Sequence, residues 1–211
     1  MTGLRLPAPA QQVLLRARSA VSRAQRWPAP PAPRPALTDL PAGLVQPDAT
    51  SCGSSVLVAM EWVRTATAPP AFAADVLAMR RRTNAAVDRA GRVQLPWPAA
   101  LGTRPAALIR QLGTDWGHGW VNRVVDPFDT GRAYDAVVAC LATHTPVPLY
   151  IGEGSWMQHI VLVVGASDDH LDIYDPACGE VLRRTRKSFE TAQLRVAGWD
   201  QPWLVILPSS A

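Results

Sequence analysis

The sequence changes character near residue 147, and this change limits the folds that the chain can adopt. Before it, apolar residues recur at helical spacing, which predicts helices at 11–26, 52–63, 72–82, 105–112 (ended by Gly113) and 134–144. After it, short β-rich runs predict strands at 148–151, 159–166, 170–175, 180–184 and 203–207. Helices followed by strands predict an α+β fold, with the helical part packed on a C-terminal antiparallel β-sheet.

The chain of 211 residues is long enough for one domain with an N-terminal extension. Residues 1–39 form that extension, a basic amphipathic helix followed by a proline-rich stretch that favours polyproline II. Residues 40–211 form the domain itself. We expect the short helix to pack on the domain as part of a flexible tail. The alternative is a helix that docks a partner protein on a semi-rigid tether.

Composition and charge exclude several classes of function. The net charge of +4 comes partly from six arginines in the first forty residues, and the rest shows no basic and aromatic stripe, so we expect no nucleic acid partner. Three widely spaced cysteines support neither a disulfide framework nor a zinc finger and fit a reducing compartment. Without a long apolar run or a signal peptide, we expect a cytoplasmic protein with no membrane span.

A possible nucleophile stands at the predicted start of the most apolar helix. Cys52 follows Thr50 and Ser51, either of which can cap that helix, and the residues after it leave almost no polar face. The helix dipole and the unpaired amides of the first turn stabilise a thiolate at such a position. Gln46, six residues upstream, could direct its side-chain amide to a developing oxyanion.

A predicted hairpin supplies the partner groups. Antiparallel pairing centred on Ser167 sets Val163 against Leu171 and His159 against Asp175. Directly opposed residues point to the same face with Cβ atoms about 5 Å apart, so the imidazole and the carboxylate would be neighbours. A carboxylate beside an imidazole fixes its tautomer and stabilises its protonated form, which thiol chemistry requires.

In these residues the chain resembles the papain-like cysteine peptidases, and among them the bacteriocin-processing (double-glycine leader) peptidases and their stand-alone relatives. The resemblance extends over about residues 44–207 and rests on Gln46 with Cys52-Gly53, on the 135–151 segment, on the 158–165 run and on Asp175-Pro176. It implies Cys52 as nucleophile, His159 as base, Asp175 as orienting carboxylate and Gln46 as oxyanion donor. It also implies a papain-like fold with the nucleophile at the start of a buried central helix.

The expected function is therefore a thiol hydrolase that cleaves a peptide or amide bond through an acyl-enzyme on Cys52. Two alternatives remain open. The same cysteine could transfer the acyl group to an amine or thiol, as a transglutaminase-like enzyme does, because hydrolysis and transfer differ in whether the cleft excludes water. The chain could also be a non-catalytic, peptidase-like module that binds a peptide and is tethered by its N-terminal helix.

The remaining cysteines and a metal site receive other interpretations. Cys140 lies on an apolar helix stripe and is expected in the core. Cys178 is expected to be a loop residue, with a regulatory disulfide to Cys52 as the alternative. A metal site built from Cys52, His159, Asp175 and Cys178 is disfavoured, because zinc sites usually include a close local pair of ligands. We expect neither a metal nor a cofactor, and a peptide or protein as substrate.

Overall fold

A six-stranded sheet, antiparallel throughout, forms the centre of the computed structural model, which describes residues 6–28, 40–67, 71–95, 102–154, 156–167 and 169–209. The strands are β1 (Trp120–Val124), β2 (Val147–Glu153), β3 (Trp156–Ala166), β4 (His170–Asp175), β5 (Glu180–Thr185) and β6 (Gln201–Pro208). They lie in the order β1-β6-β2-β3-β4-β5. Long-range pairing of β2 with β6 places the last strand inside the sheet. The predicted α+β class is confirmed.

The helices within the described ranges are α1 (Ala8–Ala24), α2 (Cys52–Thr65), α3 (Phe72–Asn84), α4 (Pro105–Trp116), α5 (Gly131–Leu141) and α6 (Arg186–Glu190). They cover both faces of the sheet. One apolar cluster joins α2, α3 and α4 to side chains such as Tyr150, Ile160, Leu162 and Ile206. The other joins α5 and α6 to side chains such as Leu149, Val161, Ile173 and Val205. The sheet is thus buried on both faces, which explains its nearly continuous apolar strands.

The α2 helix is the buried central helix that the sequence predicts. It begins at Cys52, and every residue from Gly53 to Met60 is buried. An amphipathic surface helix would alternate buried and exposed faces, whereas this segment packs against α3 and α4 as well as β3. The first residue of α2 is therefore held at the end of a rigid element.

Three local predictions were wrong or incomplete. Gly113 does not end α4, which continues to Trp116 and stops at Gly117, where φ is +71°. A glycine ends a helix only where the chain turns left-handed, and Gly117 occupies that position here. The edge strand β1 was missed because only Trp120 in it is fully buried. The short α6, capped by Thr185 at the Ser188 N–H, was also missed.

The N-terminal helix α1 packs against the domain. Its Arg18 side chain is buried, lies 3.7 Å above the ring of Trp203, and donates hydrogen bonds to the carbonyls of Val125 and Pro202. Just after the helix, Gln25 Oε1 accepts from the backbone N–H of Val124 on the edge strand β1. The predicted proline-rich stretch lies almost wholly outside the described residues, and the division at residue 39 remains a prediction.

No helix within the described part of the chain is both long and apolar enough to cross a membrane. The longest of these helices, α1, carries three arginines among its last nine residues.

The β3–β4 hairpin corrects the predicted register. Leu171 pairs with Ala166 rather than with Val163, a shift of three residues, and Ile173 pairs with Val163, a shift of two. The difference of one is a β-bulge between Val163 and Gly165. A bulge inserts one extra residue into one strand, so it reverses the faces of all residues beyond it. Here the shift from the predicted register changes at the bulge from three residues to two. A shift of two residues keeps His159 and Asp175 on the same face of the sheet.

Candidate active site

Cys52 is half-buried at the first position of α2. Ser51 precedes it at the N-cap position but does not cap the helix, contrary to the sequence prediction. The Ser51 hydroxyl instead donates to the carbonyl of Asp48 at 3.0 Å, because the chain turns tightly between these residues. The first amides of α2 therefore have no side-chain acceptor from their N-cap residue, and Cys52 is the first residue of that turn.

The residue after the cysteine must be glycine for steric reasons. A Cβ at Gly53 would lie 2.6 Å from Thr103 Cβ and 2.8 Å from its hydroxyl. Thr103 is itself held from behind, since its carbonyl accepts a 3.1 Å hydrogen bond from the Tyr150 hydroxyl on β2. This stack of Gly53, Thr103 and Tyr150 fixes the start of α2 against the sheet.

His159 and Asp175 form the buried ion pair that the sequence predicts, although through a different register. His159 Nε2 donates to Asp175 Oδ1 at 2.8 Å, and the two side chains are only 7% and 3% exposed. By continuation of the observed pairing, Asp175 lies opposite Val161, and His159 lies two residues further on the same face. Diagonal neighbours of this kind have Cα atoms about 7–8 Å apart, within the reach of an imidazole.

The surroundings of His159 favour its protonated form. Burial alone lowers its pKa, but the hydrogen bond with Asp175, the neighbouring Cys52 side chain and the negative charges of both raise the pKa overall to about 9. Burial likewise raises the pKa of Asp175, and the bonds from His159 and the Ala177 N–H outweigh this and leave the pKa below its ordinary value. The pair is therefore ionised near neutral pH, and Cys52 is one of the groups whose proximity favours the charged ring.

Gln46 lies beside this pair. Its backbone N–H donates to the carbonyl of Pro176 at 2.8 Å, so it is bound to the turn that directly follows Asp175. Its side chain is partly buried, and Oε1 is buried without a hydrogen-bond partner among the described residues. Gly43 and Gly179 make a second backbone bond of 2.9 Å between the same two segments. The structure thus places Gln46 and Asp175 on adjoining backbone segments.

The other cysteines lie apart from this chemistry. Cys140 is buried in the cluster beneath α5, and burial raises its pKa to about 11. Cys178 is at an exposed position in the turn after Asp175, and partial burial of its thiol together with the nearby carboxylates raises its pKa. All three cysteines are free thiols. Across the described part of the chain, no three His, Cys, Asp or Glu side chains are placed to share one metal ion.

Sequence reasoning missed three residues around the site: Asp48, Arg80 and Thr103. An aspartate two residues before a threonine, just ahead of a helix, is a recognisable turn signal. The helical stripe of Val76, Met79 and Thr83 could have placed Arg80 on the inward face of α3. Thr103 carries no local signal, since only the folded chain brings it to Gly53.

The chain resembles solved peptidase structures. No protein-family model matches it, and no curated protein matches it. It is similar to the peptidase domain of Streptococcus ComA, a bi-functional ABC transporter involved in quorum sensing, at 16% identity over 79% of this chain and 96% of that one, with a TM-score of 0.48. It is also similar to a C39-like protein of Bacillus anthracis described as a peptidase, at 14% identity over 81% and 96% of the two chains, with a TM-score of 0.49.

A third match is the double-glycine-motif protease of an AMS/PCAT transporter, solved in complex with a leader peptide. It is 13% identical over 89% of this chain and 100% of that one, with a TM-score of 0.45. These structures come from the peptidase branch that the sequence resembles.

Proposed function

We propose that this chain is a cysteine peptidase that cleaves a peptide or amide bond through an acyl-enzyme on Cys52. The observation that carries the proposal is the buried pair of His159 and Asp175, 2.8 Å apart, with Cys52 near enough to the same imidazole to help raise its pKa. An imidazolium oriented by a carboxylate next to a sulfur at a helix N-terminus favours the reactive thiolate.

The proposed reaction has two stages. The Cys52 thiolate attacks the substrate carbonyl carbon, a C–S bond forms, and His159 gives its proton to the leaving amine as the C–N bond breaks. His159, now neutral, then takes a proton from water, and the resulting hydroxide attacks the thioester. The acid product leaves, and proton and thiolate return to their starting positions. Asp175 keeps the imidazole oriented and charged at each stage where it holds the proton.

Gln46 and the backbone N–H of Cys52 are the proposed oxyanion donors. The Cys52 amide is in the first turn of α2, where no earlier helical carbonyl can accept from it. Gln46 is held beside Asp175 through its bond to Pro176. Loss of one oxyanion donor typically slows the reaction by about 10²–10³. We therefore expect Gln46→Ala to fall in that range while the thiol stays reactive.

The test is selective labelling of the native protein. We expect a thiol alkylator at neutral pH to label Cys52 before Cys140 and Cys178, with the site read by peptide mass mapping. His159→Ala should remove this preference. If wild-type Cys52 reacts no faster than the other two cysteines, the proposal is wrong.

A peptide library then addresses the substrate. Wild type should cleave members that Cys52→Ala leaves intact, and adding candidate amines shows by product mass whether water or an amine accepts the acyl group. Cleavage that persists in Cys52→Ala would also contradict the assigned nucleophile.

A further inference from the structure

The loop that carries Gln46 and Cys52 is bound by an arginine from another helix. Arg80 Nη1 on α3 donates to Asp48 Oδ2 at 2.6 Å and to Thr50 Oγ1 at 3.0 Å. Its side chain is 22% exposed, so the ion pair is partly shielded from water. A single guanidinium nitrogen therefore connects two residues of the loop to α3.

The loop is also braced internally around the same aspartate. Asp48 Oδ1 accepts from the Thr50 N–H at 3.0 Å and from the Thr50 hydroxyl at 2.9 Å. The Ser51 hydroxyl donates to the Asp48 carbonyl, and it accepts from the Asp48 N–H at 3.2 Å. Both carboxylate oxygens and both backbone groups of Asp48 are thus engaged, and the chain from Asp48 to Cys52 is held as a unit.

The two ends of this loop are anchored to different parts of the fold. At the Gln46 end, the anchor is the turn after β4, through the Pro176 carbonyl. At the Cys52 end, the anchors are α3, through Arg80, and Thr103, which packs on Gly53. The separation of the Gln46 amide from the Cys52 N–H is set by the loop between these anchors.

Arg80 lies on the inward stripe of α3. Val76, Met79 and Thr83 on that stripe are buried, and Arg80 is one turn from Val76 and from Thr83. A long charged side chain on a core-facing stripe loses hydration and conformational freedom. A partly exposed ion pair offsets little of that free-energy cost. The side-chain hydrogen bonds of Arg80 are made to Asp48 and Thr50 in the loop before Cys52, and these two contacts account for its position.

We infer that Arg80 is a positioning residue that sets the oxyanion-binding geometry of the Gln46–Cys52 loop, an inference that rests on the proposed function. Arg80 acts through Asp48 and Thr50 rather than on the reacting atoms. It should therefore matter for reactions that pass through a tetrahedral oxyanion. It should matter little for reactions of the thiol that form no oxyanion.

Two reactions of the same sulfur separate these effects. Iodoacetamide alkylates Cys52 by displacement at carbon, with iodide leaving and no oxyanion formed. p-Nitrophenyl acetate acylates it in two steps: the C–S bond forms to give a tetrahedral oxyanion, and nitrophenolate leaves as that oxyanion collapses to the thioester. Both rates are measured on the full chain, with modification of Cys52 confirmed by peptide mass mapping.

We expect Arg80→Ala to slow acylation by about 10-fold or more while alkylation stays within about twofold of wild type. Arg80→Lys should recover much of the acylation rate, because one nitrogen makes both observed contacts and an ammonium can replace it. The matched control is Arg64→Ala, which removes an exposed ion pair with Glu61 on α2 and should change neither rate.

Thermal unfolding followed by circular dichroism verifies folding of each variant. If Arg80→Ala does not fold, Asp48→Asn replaces it, since an asparagine keeps an acceptor for Thr50 and loses the ion pair. Equal slowing of both reactions, or no slowing of acylation, overturns the inference about Arg80. Slow alkylation of Cys52 in the wild type instead overturns the proposed function, so the two failures are distinguishable.

Discussion

His159 meets Asp175 diagonally across two antiparallel strands, and the β-bulge between Val163 and Gly165 makes this meeting possible. At the hairpin end, the pairing of Ala166 with Leu171 would place the two side chains on opposite faces if it continued unbroken. The extra residue at the bulge reverses the faces once, so His159 and Asp175 point the same way. A local irregularity of one strand is thus a condition for the ion pair.

The first prediction concerns the pH dependence of stability. The pKa of His159 rises from 6.5 to about 9 on folding, so its contribution to the free energy of unfolding is complete below about pH 6.5 and is lost as the pH rises through 9. The pKa of Asp175 is lowered, so its contribution is present above about 3.8 and is lost as the pH falls. Urea unfolding at a series of pH values should show both losses.

Asp175→Asn should flatten the alkaline loss, because the His159 pKa then falls back towards its ordinary value. Cys52→Ala should flatten it in part, since Cys52 supports the charge on the same ring. The control is Asp169→Asn, which removes an exposed carboxylate beside His170. An alkaline slope that is the same in wild type and Asp175→Asn would show that the pair does not stabilise the fold.

Sequence reasoning succeeded where local physics decides the structure. A long apolar run after Ser51 has few alternatives to a buried helix, and α2 begins at Cys52 as predicted. The short β-rich runs at residues 159–166 and 170–175 likewise identified the hairpin, and pairing them brought His159 to Asp175. Because side chains alternate between the two faces of a strand, a register shift of two residues leaves His159 and Asp175 on the same face.

The failures share a different origin. The contact of Thr103 with Gly53 and the bond from Arg80 to Asp48 depend on segments distant in sequence, and the bulge near Gly165 is an irregularity of the hairpin that residue types alone do not mark. The Ser51 hydroxyl could cap α2 or turn back to Asp48, and only the tertiary position of the loop selects the second. The sequence therefore predicted which residues lie at the site better than it predicted their hydrogen-bond and strand partners.

The second prediction is that Gly53→Ala destabilises the protein. Its Cβ would meet Thr103 at 2.6 Å, so side chain or backbone must move, at a cost of about 1–3 kcal/mol in the free energy of unfolding. Gly113→Ala in α4 is the control, since its Cβ has no neighbour closer than 3.5 Å and alanine favours helix. Urea unfolding compares them, and equal stability of the two variants would contradict the steric argument.

The third prediction concerns the attachment of α1. Arg18→Ala leaves the carbonyls of Val125 and Pro202 without this donor and uncovers Trp203, so we expect a loss of about 1–3 kcal/mol in the free energy of unfolding. Limited trypsin digestion should also cut faster at the arginines of α1. Arg16→Ala, at an exposed position of the same helix, should change stability by less than about 0.5 kcal/mol. Unchanged cleavage in Arg18→Ala would mean that other contacts hold α1.

The last prediction uses Gly179 to move Gln46. Gly179 has φ +73°, and a Cβ there would lie 2.8 Å from Val45 Cγ2 and 3.0 Å from the Leu44 backbone nitrogen. Gly179→Ala should push this segment, and Gln46 with it, away from the turn after Asp175, because backbone atoms have little freedom to yield. We expect acylation of Cys52 by p-nitrophenyl acetate to slow by about 10-fold or more, with alkylation by iodoacetamide little changed.

Gly154→Ala is the matched control for Gly179→Ala. Gly154 also has a left-handed backbone, with φ +61°, but a Cβ there meets nothing within 4 Å. Alanine at position 154 has the strain of a left-handed backbone but no steric clash with a neighbouring segment. Strain alone therefore cannot account for a difference between the two variants. If Gly154→Ala slows acylation as much as Gly179→Ala does, the effect comes from backbone strain. The contact between Gly179 and the segment before Gln46 would then have no part in placing the oxyanion donor.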